Sequence, residues 1–224
     1  MTMPFPGGID ANANATLVFS LVAALIYAFT LGMPPRLARS AAKTLAVAML
    51  AALSFMQGGP WLLVAALALS AVGDAFLSRD GEKAFLCGLA SFLAAHILYV
   101  PLFLRSGGGM GLPGTESWRG AIALAMAAFA IVMLAALWRR VGPTLRLPIG
   151  VYVAAILAMG VSALTTSNGL VIGGAILFMA SDGLLAAEKF LLAAISPHRV
   201  WMRYAVWALY YAAQFCITLG FLLN

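Results

Sequence analysis

Two aspartates lie at the ends of apolar runs in the sequence. Asp74 belongs to "SAVGDAFL", which ends the run that begins at Trp61, and Asp182 belongs to "GAILFMASDGLL". An ionisable side chain inside a membrane segment costs about 2.5–3.5 kcal/mol on insertion scales, and it is by default a candidate functional group. Carboxyl groups in a low-dielectric site are suited to general acid and base catalysis. The two aspartates are therefore the first candidates for chemistry.

The composition is that of a multi-pass membrane protein. Of 224 residues, 64% are hydrophobic and 9% are charged, with a mean hydropathy of +1.02. A soluble domain of this size needs far more polar surface, whereas a membrane span needs about 20 mostly apolar residues. We therefore predict an all-α, polytopic membrane helical bundle in the cell membrane. Its eight transmembrane helices are predicted at 15–33, 41–56, 61–78, 84–104, 119–138, 147–165, 169–187 and 200–223.

The basic residues follow the pattern by which a bilayer orients helices. Lys and Arg accumulate on the cytoplasmic side, and all but two of the 13 fall in the first, third, fifth and seventh connections. The two exceptions are Arg105 and Arg119. This predicts that both termini lie on the non-cytoplasmic side, and it explains the net charge of +6 without a nucleic-acid partner. The others are Arg36, Arg39, Lys43, Arg79, Lys83, Arg139, Arg140, Arg146, Lys189, Arg199 and Arg203.

In this topology both aspartates lie about one turn from the cytoplasmic, C-terminal ends of their helices. A simple alternative is that they cap helices or reach the membrane surface. The helix macrodipole is negative at a C-terminus, so an acidic cap is unfavourable there. We therefore predict that Asp74 and Asp182 face each other across a central pocket.

The segments after the two aspartates are similar to each other. Each continues with Leu at the third position, then a Glu-Lys pair and a Phe, with a loop shorter by two residues in the second copy. This predicts one domain over 1–224 with a weak four-plus-four parallel repeat, 1–110 and 111–224. The matching residues are Leu77, Glu82, Lys83 and Phe85, and Leu185, Glu188, Lys189 and Phe190.

Other polar side chains lie inside the predicted spans. His96 and Tyr99 are three residues apart and share one face of the fourth helix. Tyr152 lies early in the sixth helix, and Tyr211 lies near Gln214 on the eighth. A buried amide must find partners, so Gln214 either binds a ligand or ties helices together. The other residues are also compatible with an ordinary interior role.

Two more residues have two interpretations each. Ser181 donates either to a carboxylate or back to its own helix. Lys43 either snorkels to the membrane surface or meets an anionic phosphate. The chain contains no His-x-x-x-His, Glu-x-x-His or Cys cluster, so neither a metal nor a cofactor is expected.

Six segments carry a combination of short motifs. The segments are "KTLAVAML" from Lys43, "LALSAVGDAFL", "FLCGLASFLAAHILYVPLF", "VYVAAILAM", "GGAILFMASDGLLAAEKF" and "YYAAQFCITLG". Their Gly-Asp, His-x-x-Tyr, Ser-Asp and Tyr-x-x-x-Gln/Tyr-x-x-Gln elements are specific only in combination. Together the segments cover most of the chain and resemble the YhhN or lysoplasmalogenase family of multi-pass membrane proteins.

The resemblance implies hydrolysis of the vinyl-ether bond of lysoplasmalogens to a fatty aldehyde and glycerophosphoethanolamine or glycerophosphocholine. It implies that Asp74 and Asp182 are catalytic, one as acid and the other as base or stabiliser. Ser181 favours Asp182 as the ionised partner. The substrate is then a lysophospholipid taken from bilayer lipid, and no protein partner is indicated. Substrate-binding roles fall to Lys43, His96, Tyr99, Tyr152, Ser181, Tyr211 and Gln214.

Two other functions remain open from the residues alone. A proton-coupled or small-solute transporter also uses membrane carboxylates, but paired Gly/Pro-broken helices are not evident. An intramembrane aspartyl protease pairs two aspartates, yet "AVGD" lacks the earlier Gly of G-x-G-D and the chain has no Tyr-Asp or Pro-Ala-Leu element. Both are therefore less favoured than the hydrolase.

Overall fold

The computed structural model describes residues 3–8, 11–34, 36–107, 116–193 and 195–223, and these form helices but no strands. The prediction of an all-α, polytopic helical membrane protein is confirmed. The orientation of the termini stays a prediction. The described residues form eight α-helices, which are α1 (Asn12–Thr30), α2 (Leu37–Met56), α3 (Trp61–Leu77), α4 (Glu82–Ser106), α5 (Ser117–Trp138), α6 (Pro143–Ala163), α7 (Gly169–Ala186) and α8 (His198–Leu222).

The lengths of the helices agree with a membrane setting, with one exception. Within the described ranges, seven helices are long and apolar enough to cross a bilayer, counting α7 with its continuation to Leu191. Helix α3 is apolar but has only 17 residues. At 1.5 Å per residue it is about 26 Å long, shorter than a hydrocarbon core of about 30 Å. Among the eight α-helices of the described residues, the shortest is therefore the one that carries Asp74.

The chain divides into two compact units. The first comprises Met1–Tyr99 and Gln214–Asn224, and the second comprises Val100–Ala213. In the first unit α2 packs against both α1 and α3. In the second unit α6 packs against both α5 and α7. The single domain and the internal repeat predicted from the sequence stay predictions.

The end of α7 differs from the prediction. No loop precedes Glu188, because α7 continues directly into a π-helical turn, Ala187–Leu191. By contrast, Glu82 begins a new helix after a loop in which Gly81 has a φ of 112°. The two Glu-Lys pairs therefore occupy different local structures.

Arg119 is a buried structural residue at the start of α5. Its Nη1 donates to the main-chain carbonyls of Leu164 (2.5 Å) and Thr166 (2.6 Å), just beyond the end of α6. Its Nε lies 3.0 Å from a carboxylate oxygen of Glu116, and hydrogen bonding from Arg119 lowers the pKa of that carboxyl. A cation at a helix C-terminus is favourable. This role explains why Arg119 lies on the predicted non-cytoplasmic face, although Lys and Arg otherwise accumulate on the cytoplasmic side.

We expect Arg119→Gln to reduce stability because two buried carbonyls lose a charged donor. Hydrogen bonds to charged groups are worth about 1.5–3 kcal/mol each, so unfolding in mixed micelles should shift by about 2 kcal/mol or more. Arg105→Gln removes an equal charge from an exposed position and serves as the control. Equal stability of the two variants would contradict the capping role.

Candidate functional site

Asp74 forms a buried ion pair with Lys43. Asp74 lies in the last turn of α3 and is 0% exposed, and the Nζ of Lys43 on α2 lies 2.9 Å from its Oδ1. The Lys43 side chain is only 13% exposed. Snorkelling is therefore the wrong interpretation of Lys43. A phosphate-binding role for this lysine stays a prediction.

Two glycines allow α3 and α4 to approach closely around Asp74. A Cβ atom on Gly73 would lie 2.7 Å from a ring carbon of Phe92, and one on Gly88 would lie 2.8 Å from the side chain of Leu77. Real Cβ atoms do not approach other atoms so closely, and cores filled to native density do not yield easily. Gly73, the residue before Asp74, thus makes room for the Phe92 ring of α4.

Tyr99 and Gln214 join α4 to α8 within the first unit. The Tyr99 hydroxyl donates to Oε1 of Gln214 at 2.6 Å, and both side chains are fully buried. Among the described residues, the Nε2 of Gln214 has no acceptor. His96, one turn before Tyr99 on α4, is also fully buried. Gln214 thus links α8 to α4 by a hydrogen bond, and its amide nitrogen is a further donor in the interior.

We expect Tyr99→Phe to destabilise the protein by about 1–3 kcal/mol, because the buried Oε1 of Gln214 loses its donor. Pairing this change with Gln214→Leu removes both polar groups and should cost less than the sum of the single changes. A double-mutant cycle measured by unfolding in micelles checks this coupling. Purely additive costs would mean that the hydrogen bond contributes nothing.

Asp182 has a different partner from Asp74. It lies in α7, half-buried, and its Oδ2 accepts a hydrogen bond of 2.5 Å from the Tyr152 hydroxyl on α6. The neighbouring Ser181 is buried and donates to the main-chain carbonyl of Val206 on α8, at 3.0 Å. Neither partner expected for Ser181, a carboxylate or its own helix, is the observed one. Tyr152 is the polar contact that sequence reasoning did not assign to Asp182.

One aromatic ring stacks on Tyr211 in the second unit. The Tyr211 ring lies on Trp207 of the same helix with centroids 5.7 Å apart, and Trp207 also lies 5.9 Å from Tyr210.

The residue after Asp182 is a glycine that lies against α5. A Cβ atom on Gly183 would collide with the Phe129 ring of α5. Gly183 thus allows the close approach of α7 to the observed position of this ring.

One acid and two arginines form an ion cluster at the end of α7, which is predicted to be its cytoplasmic end. Glu188 is buried in the π-helical turn, and its Oε1 lies 3.0 Å from Nε of Arg203 and 3.5 Å from Nε of Arg199. Both arginines belong to the residues predicted to set the topology. Their pairing with one acid joins the turn to the first helical turns of α8.

The structure thus brings together three pairs of the nine predicted site residues. These are Lys43 with Asp74, Tyr99 with Gln214, and Tyr152 with Asp182. The first two pairs and His96 belong to the first unit, whereas Tyr152, Ser181, Asp182 and Tyr211 belong to the second. The pocket predicted to contain both aspartates stays a prediction.

Fold and site define a class: polytopic helical membrane proteins with hydrogen-bonded carboxyl groups inside apolar helices. A family model for the YhhN family matches residues 38–221. The chain belongs to the YhhN family.

The chain is also similar to curated proteins named lysoplasmalogenase. Lysoplasmalogenase TMEM86B of Rattus norvegicus is 32% identical over 165 residues, which cover 71% of this chain and 61% of that protein. Lysoplasmalogenase TMEM86B of Homo sapiens is 36% identical over 159 residues, covering 71% and 62%. Lysoplasmalogenase of Mycobacterium tuberculosis is 32% identical over 167 residues, covering 71% and 59%.

The chain therefore spans about 60% of the length of the curated relatives it matches. No solved structure matches it.

Proposed function

We propose that this membrane protein hydrolyses the vinyl-ether bond of lysoplasmalogens. The products are a fatty aldehyde and glycerophosphoethanolamine or glycerophosphocholine, and the site of action is the cell membrane, which is the cytoplasmic membrane in a bacterium. The observation that carries this proposal is the pair of carboxyl groups inside apolar helices, each with its own polar partner. The names of the relatives indicate which bond is cleaved.

The chemistry of a vinyl ether requires an acid before it requires a nucleophile. A proton is added to the alkene carbon that does not carry the ether oxygen, and the electron pair of the double bond forms the new C–H bond. The adjacent carbon becomes an oxocarbenium ion, which a water molecule captures as its proton passes to a base. The resulting hemiacetal loses the glycerol oxygen as an alcohol and becomes an aldehyde. One protonated and one ionised carboxyl group suit these steps, as in glycosidases.

We assign the ionised role to Asp74 and the proton-donor role to Asp182. The ammonium group of Lys43, 2.9 Å from Asp74, stabilises the charged carboxylate. The Tyr152 hydroxyl that donates to Asp182 is neutral, so it favours the charged form of this carboxyl group less than an ammonium group does. This reverses the expectation from sequence, which depended on a Ser181 hydrogen bond that goes to Val206 instead. Asp74 then stabilises the cation and activates water, while Asp182 protonates carbon.

The remaining polar residues are proposed to bind the substrate. The free amide donor of Gln214, oriented by Tyr99, suits a water molecule or a glycerol oxygen. His96, Tyr152 and Tyr211 are proposed to contribute to the same task, and Lys43 to attract the phosphate. Ser181, through its bond to α8, acts by positioning Asp182. The alkenyl chain enters from the bilayer and lies against apolar helix faces.

The test is aldehyde release by the purified protein in micelles. Lysoplasmalogen should give aldehyde and glycerophosphoethanolamine in equal amounts. The lysophospholipid with a saturated alkyl ether at the same position should give none, because it has no double bond to protonate. An ester-linked lysophospholipid controls for lipase activity. Absence of aldehyde from every vinyl-ether lipid, together with solute flux in vesicles, would instead support a transporter.

A further inference from the structure

An apolar groove follows one exposed face of α5 to a positively charged end. It is lined by Ile131, Leu134, Ala135, Trp138 and Arg139 and has a volume of about 470 Å³. These residues recur every three or four positions and so share one helix face. The side chain of Ile131 is 67% exposed and that of Trp138 is 44% exposed. Leu134 is partly buried against the cluster of Leu137, Val141 and Ile149, whereas the other lining residues are exposed. We call this surface the α5 groove.

Positive charge accumulates where the α5 groove ends. Arg139 lines the groove, Arg140 follows it, and the guanidinium carbon of Arg146 lies 5.6 Å from the centroid of the Trp138 ring. The sequence contains no Asp or Glu from 117 to 181. The nearby acid on the π-helical turn, Glu188, is already paired with two other arginines. Among the described residues, none of these three arginines forms an ion pair with an acid.

We propose that the α5 groove is a binding site for an anionic phospholipid of the bilayer. One acyl chain lies along Ile131, Leu134 and Ala135, and the phosphate meets Arg139 and Arg146. The lining covers about 12 Å of helix at 1.5 Å per residue, close to the half-thickness of about 15 Å of a hydrocarbon core. Trp138 lies between the apolar and charged parts, where aromatic side chains favour the membrane–water interface.

Charge distinguishes a lipid from a second copy of the chain as the occupant. A two-fold dimer would place the same surface on both sides of the contact. The arginines at the end of the groove would then oppose each other, and like charges in partly buried contacts are unfavourable. An anionic headgroup instead neutralises them. The site is independent of the proposed hydrolysis, because it includes none of the residues assigned to that reaction.

The test compares retained lipids on the full chain by native mass spectrometry after extraction from nanodiscs. Nanodiscs of mixed phosphatidylglycerol and phosphatidylcholine are the probe, and we expect one phosphatidylglycerol to be retained in preference. Each basic residue near an anionic surface contributes about fivefold to binding. The pair Arg139→Gln and Arg146→Gln should therefore weaken retention by about 25-fold. The control pair, Arg36→Gln and Lys83→Gln, removes equal charge from exposed positions and should have little effect.

A second variant tests the groove rather than the charge. Ala135→Phe fills the apolar part at an exposed position and leaves every arginine in place, so it should also reduce retention. Equal retention of the two lipids, equal loss in the control pair, or full retention by Ala135→Phe would each overturn the proposal. A dimer that disappears in Ala135→Phe while lipid retention is unchanged would show a second copy as the occupant and would also overturn it.

Discussion

Asp74→Asn and Asp182→Asn are each expected to reduce aldehyde release from lysoplasmalogen by roughly 10²–10⁴-fold, the range for loss of a general acid or base. An amide neither protonates the alkene carbon nor accepts a proton from water. Asp80→Asn is the matched control, because Asp80 is exposed and lies just beyond α3. Initial rates of aldehyde formation at saturating substrate give the comparison.

The fold of the Asp74→Asn variant needs its own check, since the substitution leaves the buried ammonium group of Lys43 beside a neutral amide. The double variant Asp74→Asn with Lys43→Met removes both charges and should be folded and inactive. Circular dichroism and thermal unfolding report the fold. Retention of more than half the wild-type rate by either single aspartate variant would refute the two-carboxylate mechanism.

Lys43→Met is expected to destabilise the protein by about 3–5 kcal/mol, the usual cost of leaving one member of a buried ion pair without its partner. Asp74 is fully buried and lies 2.9 Å from the lysine, so its charge has no access to water once the ammonium is gone. Adding Asp74→Asn should recover most of the loss, because the uncompensated charge disappears. Equilibrium unfolding in mixed micelles measures the free energy of unfolding of the wild type, the two single variants and the double variant, which together form a double-mutant cycle.

Lys83→Met provides the matched control for that cycle, because it removes a lysine from an exposed position at the start of α4. Its effect should lie within about 0.5 kcal/mol of wild type, as for most surface substitutions. A double variant no more stable than Lys43→Met alone would show that the two side chains are not energetically coupled.

The helices were predictable because apolar runs and their polar breaks are local features. The third predicted helix, 61–78, corresponds to Trp61–Leu77, and the fifth, 119–138, corresponds to Ser117–Trp138. The predicted bounds differ by up to four residues, at the starts of α2 and α6 and at the end of α7, where the helix continues past Glu188 to Leu191 as a π-helical turn. The charge of Glu188 looked like a helix end, but Arg199 and Arg203 compensate it inside the protein.

The candidate residues were predictable by type, but their partners were not. An aspartate in an apolar run is conspicuous, because burying a charge is costly wherever it occurs. The partner depends on the rotation and register of another helix, which a single sequence does not encode locally. Lys43 is 31 positions before Asp74, and Tyr152 is 30 before Asp182. Ser181 is the clearest example. Its position next to Asp182 suggested a hydrogen bond to that carboxylate, but the hydroxyl donates to the main-chain carbonyl of Val206.

The shortness of α3 makes the thickness of the host membrane relevant to Asp74. A helix of about 26 Å in a core of about 30 Å is accommodated by local thinning of the bilayer or by its polar flanks entering the interface, each at a modest free-energy cost. Asp74 lies three residues from the end of α3 at Leu77. Thinning at this helix brings headgroups and interfacial water toward the carboxyl group. Lipids with shorter acyl chains should therefore leave less hydrocarbon between Asp74 and the membrane surface than lipids with longer chains.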